Sequence, residues 1–130
     1  MTVEVYLPSV NKWKRVADMP YAACSDAVAS LRNAFYVLGY STHAKYDLVS
    51  DTWQQIAPLN QPRTSLALVE LNGSIIYAFG GYPGGVNVSS TTEQYDAQRN
   101  AWTTIAPLSV ARQHVAGCVW QVSARDALVR

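Results

Sequence analysis

Three tyrosine–tryptophan pairs at one fixed spacing limit this chain more than any other feature. Tyr6 precedes Trp13 by seven residues, Tyr46 precedes Trp53 by seven, and Tyr95 precedes Trp102 by seven. Six residues after each tryptophan stands a bulky apolar side chain: Met19, Leu59 and Leu108. Four positions further, the second and third copies carry Arg63 and Arg112, where the first has Ala23. Those two copies also share Ile-Ala-Pro-Leu, at 56–59 and 105–108. The tryptophans lie 40 and then 49 residues apart, and most of the excess falls between Gly81 and Tyr95, a span of fourteen where Tyr40 to Tyr46 spans six. The pattern is an internal repeat with one variable loop, and a unit of this size buries its apolar face only by stacking on its neighbours.

Within a unit the reading is all β. Residues 65–71 form a first strand, and Asn72-Gly73 is a hairpin turn because both positions tolerate the positive φ of a type I′ turn. Residues 74–80 form a second strand, apolar on both faces and so buried on both. Residues 91–96 and 101–106 form a third and a fourth, with the polar turn 97–100 between them. Four short antiparallel strands per repeat describe a propeller blade.

Arg63, Asn72-Gly73, Ile76-Tyr77-Ala78-Phe79-Gly80-Gly81, Glu93-Gln94-Tyr95-Asp96, Trp102 and Ala106-Pro107-Leu108 resemble a kelch repeat in order and spacing. The resemblance covers roughly residues 4–121 and is greatest to the propellers of kelch-like proteins with an N-terminal BTB domain. It implies an all-β fold, a partial kelch β-propeller, in which Gly39, Tyr46, Trp53, Gly80, Gly81, Tyr95 and Trp102 are structural. The glycine pair offers bare backbone for aromatic rings to pack on, and Tyr95 and Trp102 fill the space between blades. Tyr40 departs from the pattern at the second glycine position.

The repeat frame divides the chain into a partial blade at 1–20 (third and fourth strands), blades at 21–59 and 60–109, the first strand of a further blade at 110–121, and a non-repeat tail at 122–130. Arg125 and Asp126 fall where Ile76 and Tyr77 stand one repeat earlier, and two charges do not belong in a doubly buried strand. Eleven strands follow, too few for a chain to close a propeller by itself. Two chains would approximate a six-bladed ring lacking one strand at each junction.

Composition sets the remaining bounds. With 49% hydrophobic and 15% charged residues the chain can build a core, and a net charge of +1 provides no field for nucleic acid or an acidic membrane. The longest apolar stretch, 74–81, is far short of the roughly 20 residues of a membrane span. The N-terminus reads as no secretory signal, so a cytoplasmic location is expected, and Cys24 and Cys118 are expected to be free thiols. The Asn72-Gly73-Ser74 and Asn87-Val88-Ser89 acceptor patterns should then go unused.

Arg63 and Arg112 lie on the loop before a first strand, on the rim that in kelch-like adaptors faces the pocket for acidic or polar peptide segments. A guanidinium fork suits carboxylates there, or it pairs with Glu93 or Asp96 and holds a blade together. Thr64 and Gln113 follow the two arginines, Tyr82 follows the glycine pair, and His114 lies two residues past Arg112. With them, the resemblance implies a partner-binding set of Arg63, Thr64, Tyr82, Arg112, Gln113 and His114. Residues 82–90 are glycine-rich but lack the Lys and Ser/Thr of a phosphate loop. His43 and His114 sit in different repeats with no ligand partners at metal spacing, so no catalytic residue, metal or cofactor is expected, and His43 reads as a solvated loop residue. The reading is a non-catalytic protein-interaction module, with a protein or peptide ligand on the loop face. The resemblance connects it to cullin-ligase machinery through a BTB domain. Actin binding, or a fragment of a kelch-containing enzyme, are the alternatives.

Overall fold

The computed structural model describes residues 1–23 and 26–119, and the backbone of 127–129. Each repeat becomes an antiparallel sheet. Strands β1 (Val3–Leu7) and β2 (Lys12–Val16) form a hairpin joined by a short 3-10 turn, Pro8–Val10. Strands β3 (Ala27–Leu31), β4 (Ala34–Leu38), β5 (His43–Asp47) and β6 (Thr52–Gln55) form one four-stranded blade in sequence order. Strands β7 (Ala67–Leu71), β8 (Ile75–Phe79), β9 (Thr92–Asp96) and β10 (Ala101–Ile105) form the second. A last hairpin pairs β11 (Gly117–Val119) with β12 (Ala127–Val129). The result is all β, two complete four-stranded blades flanked by two-stranded hairpins, as a partial propeller requires.

Sequence pattern explains the stacking. Strand alternation sends Leu66, Leu68, Ile76, Ala78, Tyr95 and Trp102 of the second blade against Leu31, Tyr36, Leu38 and Leu59 of the first, a single buried cluster. Burial of each large side chain here is worth about 1.5–3 kcal/mol. The inner strands β3, β7 and β11 lie side by side. At the β7–β8 turn Asn72 and Gly73 have φ 57° and 66°, the left-handed pair that a type I′ hairpin requires.

The seven-residue spacing has a direct geometric meaning. It sets tyrosine and tryptophan opposite each other across the outer hairpin: Tyr6 faces Trp13, Tyr46 faces Trp53 and Tyr95 faces Trp102. Their ring centroids are 5.3, 5.1 and 4.9 Å apart. Each tyrosine hydroxyl donates to an Asn or Asp two residues before its tryptophan: Asn11 at 2.7 Å, Asp51 at 2.6 Å and Asn100 at 2.7 Å. Those residues sit at φ 51°, 54° and 48°, a left-handed conformation that Asn and Asp adopt at low cost.

In the second and third copies the Asp or Asn and the tryptophan also clasp the blade to the one before it. Ala17 N–H donates to Asp51 (2.8 Å) and its carbonyl accepts from the Trp53 indole (2.9 Å). One repeat later, Ala57 N–H donates to Asn100 (2.9 Å) and its carbonyl accepts from Trp102 (3.0 Å). Burial is the main cause that pushes both Tyr46 and Tyr95 up to about 12, so neither hydroxyl ionises near neutral pH.

Three expectations change. The close approach to the glycine pair is made by carbonyls and not by rings. A Cβ on Gly80 (φ 59°) would lie 2.6 Å from the Arg112 carbonyl, and one on Gly81 (φ 102°) would lie 2.6 Å from that of Thr64. At Gly39 the Asp26 carboxylate fills the space.

Of the strand expected over 110–121, residues 110–116 are not extended strand and Gly117–Val119 are; residues 120 and 121 lie outside the described residues. Residue 112 instead bonds to the preceding blade, and His114 takes φ 53°.

The tail expected to lie outside the repeat supplies a second strand. Cys118 stands opposite Leu128 and Val119 opposite Ala127. In the preceding blade Val69 pairs with Tyr77 and Glu70 with Ile76, so the pairing has slipped by two residues. A slip of two keeps every residue on its face. Ala127 and Leu128 thereby take the positions that the unslipped frame gives to Arg125 and Asp126, which lie outside the described residues, as does Cys24.

Candidate partner-binding face

Four of the residues expected to bind a partner are gathered on one rim. Thr64 and Tyr82 form a two-residue antiparallel bridge, with Thr64 N–H donating to Tyr82 O at 3.0 Å and Tyr82 N–H to Thr64 O at 2.8 Å. Gly81 N–H reaches across to Arg112 O (2.8 Å), Arg112 N–H to Ser89 O (3.0 Å), and His114 N–H to Ser65 O (2.9 Å). Backbone hydrogen bonds therefore tie the loop before β7, the loop after β8 and the segment before β11 into one surface. His114 is exposed, while Thr64, Tyr82 and Gln113 are half-buried. The Tyr82 hydroxyl donates to Gly85 O within the glycine-rich loop. Ser89, buried at the far end of that loop, donates to the Gln61 side chain at 2.8 Å and accepts from Thr91 N–H.

Arg63 leaves the binding set. It is 0% exposed, and so is Glu93, with which it forms an ion pair. The guanidinium also donates to the carbonyls of Gly80 (2.6 Å), Gln61 (2.7 Å) and Ala78 (3.2 Å). Glu93 in turn accepts the amides of Asn60 (2.7 Å) and Gln61 (3.2 Å). The guanidinium uses four of its five donors in this way, locks the loop from the previous blade onto β8 and β9, and is too enclosed to present a donor to a ligand. Arg112 is half-buried; its Nε donates to Val110 O at 3.3 Å, two residues back, as Arg63 does to Gln61.

His43 also moves from its expected place. It is the first residue of β5, buried, and its Nε2 has no hydrogen-bond partner. Burial holds its pKa below the ordinary 6.5, against the opposing attraction of Asp26 and Glu93. Among the described residues no three His, Cys, Asp or Glu side chains converge to hold a metal ion, and no helix is long and apolar enough to cross a membrane.

Residues 63–109 match the Kelch motif family model. Kelch-like protein 23 of Pongo abelii is 32% identical over 125 residues, which cover 92% of this chain and 22% of that protein. Kelch-like protein 26 of Danio rerio is 31% identical over 128 residues, covering 90% of this chain and 21% of that protein. Human Kelch-like protein 4 is 41% identical over 68 residues, 52% of this chain and 9% of that protein. The chain thus spans about a fifth of the length of the two relatives that match it from end to end. The Kelch motif match and these relatives, over a chain built of repeated four-stranded antiparallel blades, make it a kelch-repeat chain.

Proposed function

We propose that this module is the partner-binding portion of a cytoplasmic adaptor, taking a protein or peptide segment on the rim formed by Thr64, Tyr82, Gln113 and His114. The adaptor presents that partner to a cullin-type ubiquitin ligase through a BTB domain elsewhere in its polypeptide. The supporting observation is the rim itself: residues from two successive blades are held together by backbone bonds, which leaves their side chains to vary with the partner. Tyrosine and histidine tips among neutral polar groups suit an extended polar segment. The ligase assignment rests on the resemblance to kelch-like adaptors with an N-terminal BTB domain.

The test compares the complete polypeptide with its Tyr82→Ala/His114→Ala variant by quantitative affinity capture. The variant should retain the cullin and lose its partner about tenfold, the equivalent of ~1.4 kcal/mol. An unchanged partner would overturn the rim assignment, and absence of a cullin from the wild-type capture would overturn the ligase reading.

A further inference from the structure

The two complete blades enclose a cleft at the end of the strands opposite Thr64 and Tyr82. Antiparallel order places the tight turns 32–33, 48–51, 72–74 and 97–100 at that end, and the loops that carry the rim at the other. Both walls of the cleft are four-stranded sheets, and its volume of about 540 Å³ is that of an ordinary binding pocket. Strand alternation turns Ala34, Tyr36, Lys45 and Asp47 of the first blade toward it.

Two cations set this cleft apart from the rest of the repeat. At the turn between β3 and β4 stands Arg32, where the next blade has Asn72, and both take the left-handed conformation, at φ 56° and 57°. Asparagine adopts that conformation at little cost and arginine does not, so a long basic side chain is placed here against backbone preference. Its Nε donates to Gly73 O of the next blade at 3.0 Å, which ties the side chain to the opposite wall. The two terminal guanidinium nitrogens are in no ion pair among the described residues. Lys45 stands where the next blade has Gln94; it is half-buried, and its ammonium too is in no ion pair among the described residues.

The third donor is buried. Tyr36 lies opposite Lys45 on β4, is 5% exposed, and sets its ring edge-on against Tyr95 at 5.7 Å. Its hydroxyl has no hydrogen-bond partner among the described residues, where a buried tyrosine ordinarily finds one. Burial raises its pKa against the pull of Arg32, so it stays a donor at neutral pH.

The acids that line the cleft are already engaged. Asp47 accepts the amides of Val49 (2.8 Å) and Ser50 (2.9 Å), and Asp96 those of Gln98 (2.8 Å) and Arg99 (3.2 Å). Against Arg32 and Lys45 these two carboxylates leave the lining with no net charge, which suits a singly charged carboxylate better than a phosphate dianion.

We infer that this cleft is a second docking site, which takes the carboxylate of an acidic peptide segment between Arg32, Lys45 and Tyr36. The guanidinium fork and the ammonium supply charge-assisted bonds and the phenol a third, while Leu31, Ala34 and the Tyr36 ring receive the methylenes of a glutamate side chain. The volume exceeds that of a lone carboxylate, which favours a peptide over a free acid. The site stands apart from the rim at the other end of the strands and does not depend on it.

Nitrogen–proton NMR titration of the 130-residue chain with an acetylated, amidated tetraglutamate peptide tests the inference. The amides of Arg32, Asn33, Ser74 and Gln98 should shift to saturation, while those of Thr64 and Tyr82 stay in place. Arg32→Asn and Lys45→Gln install the residues that the next repeat uses, so each should keep a dispersed spectrum and weaken the peptide about tenfold. Tyr36→Phe should weaken it about threefold. A tetraglutamine peptide, glutarate and inorganic phosphate should each bind at least about tenfold more weakly than tetraglutamate. No saturable shift, shifts at Thr64 and Tyr82 instead, or unchanged affinity in a folded cation variant overturns the inference. Glutarate as tight as the peptide would make the ligand a free dicarboxylate, phosphate as tight would make it a phosphoryl group, and either overturns the peptide assignment.

Discussion

Arg63 and Glu93 illustrate how much of a blade can rest on two side chains. Removing either one leaves a full charge enclosed without its counter-ion, so Arg63→Ala or Glu93→Ala should each cost about 3–5 kcal/mol in urea unfolding. The preceding blade carries Ala23 and Ala44 in the same places, and the double variant should therefore cost less than the sum of the singles. His43 gives a pH dependence of definite sign. Its pKa is lowered on folding, so below about 6.5 the unfolded chain takes a proton that the folded chain resists, and stability falls with acidification. The urea midpoint should drop between about pH 7 and about pH 5, and His43→Thr, the residue that Thr92 supplies one repeat later, should flatten that slope. Asp47 and Asp51, held below 3.8 by hydrogen bonds, act only in more acid solution. Neither role was legible in full from the sequence. Arg63 admitted a binding and a structural reading because its carboxylate lies thirty residues away on another strand, and a single histidine between polar neighbours carries no periodicity to mark it as buried.

At the level of the strand and hairpin, the clasp predicts an asymmetry between equivalent positions. Asn100→Gly keeps the left-handed backbone but strips the acceptor from Tyr95 and from Ala57 N–H, and should destabilise the chain by about 1–3 kcal/mol. Asn11→Gly removes only the bond to Tyr6 within an exposed hairpin, and should cost about 1 kcal/mol or less by thermal unfolding. Strand identity and order were readable because alternation, the Asn-Gly turn and the Tyr–Trp spacing are local. The entrance to β7 and β11 was not, since Ser65 and His114 turn left-handed to meet backbone partners in other loops. The β12 pairing escaped for a related reason: a frame carried forward from the previous blade assumes a constant hairpin length, and this one is longer by two.

For the molecule as a whole, resistance to local opening should follow position within the sheets. Amides of β4, β5, β8 and β9, flanked on both sides, should exchange with deuterium most slowly, and those of the two-stranded β1–β2 hairpin faster, measured by mass spectrometry of peptide fragments. The all-β repeat of four-stranded blades was visible from the sequence alone, whereas which arginine is enclosed, and by what, was not. The paired loss of charge at Ala23 and Ala44 has an evolutionary corollary. Duplication or shuffling of these units is not free: a first strand transplanted from the uncharged unit into the charged one would strand an acid in the interior. Selection must then copy whole units or exchange both positions at once, which ties each unit to its own pairing of charges.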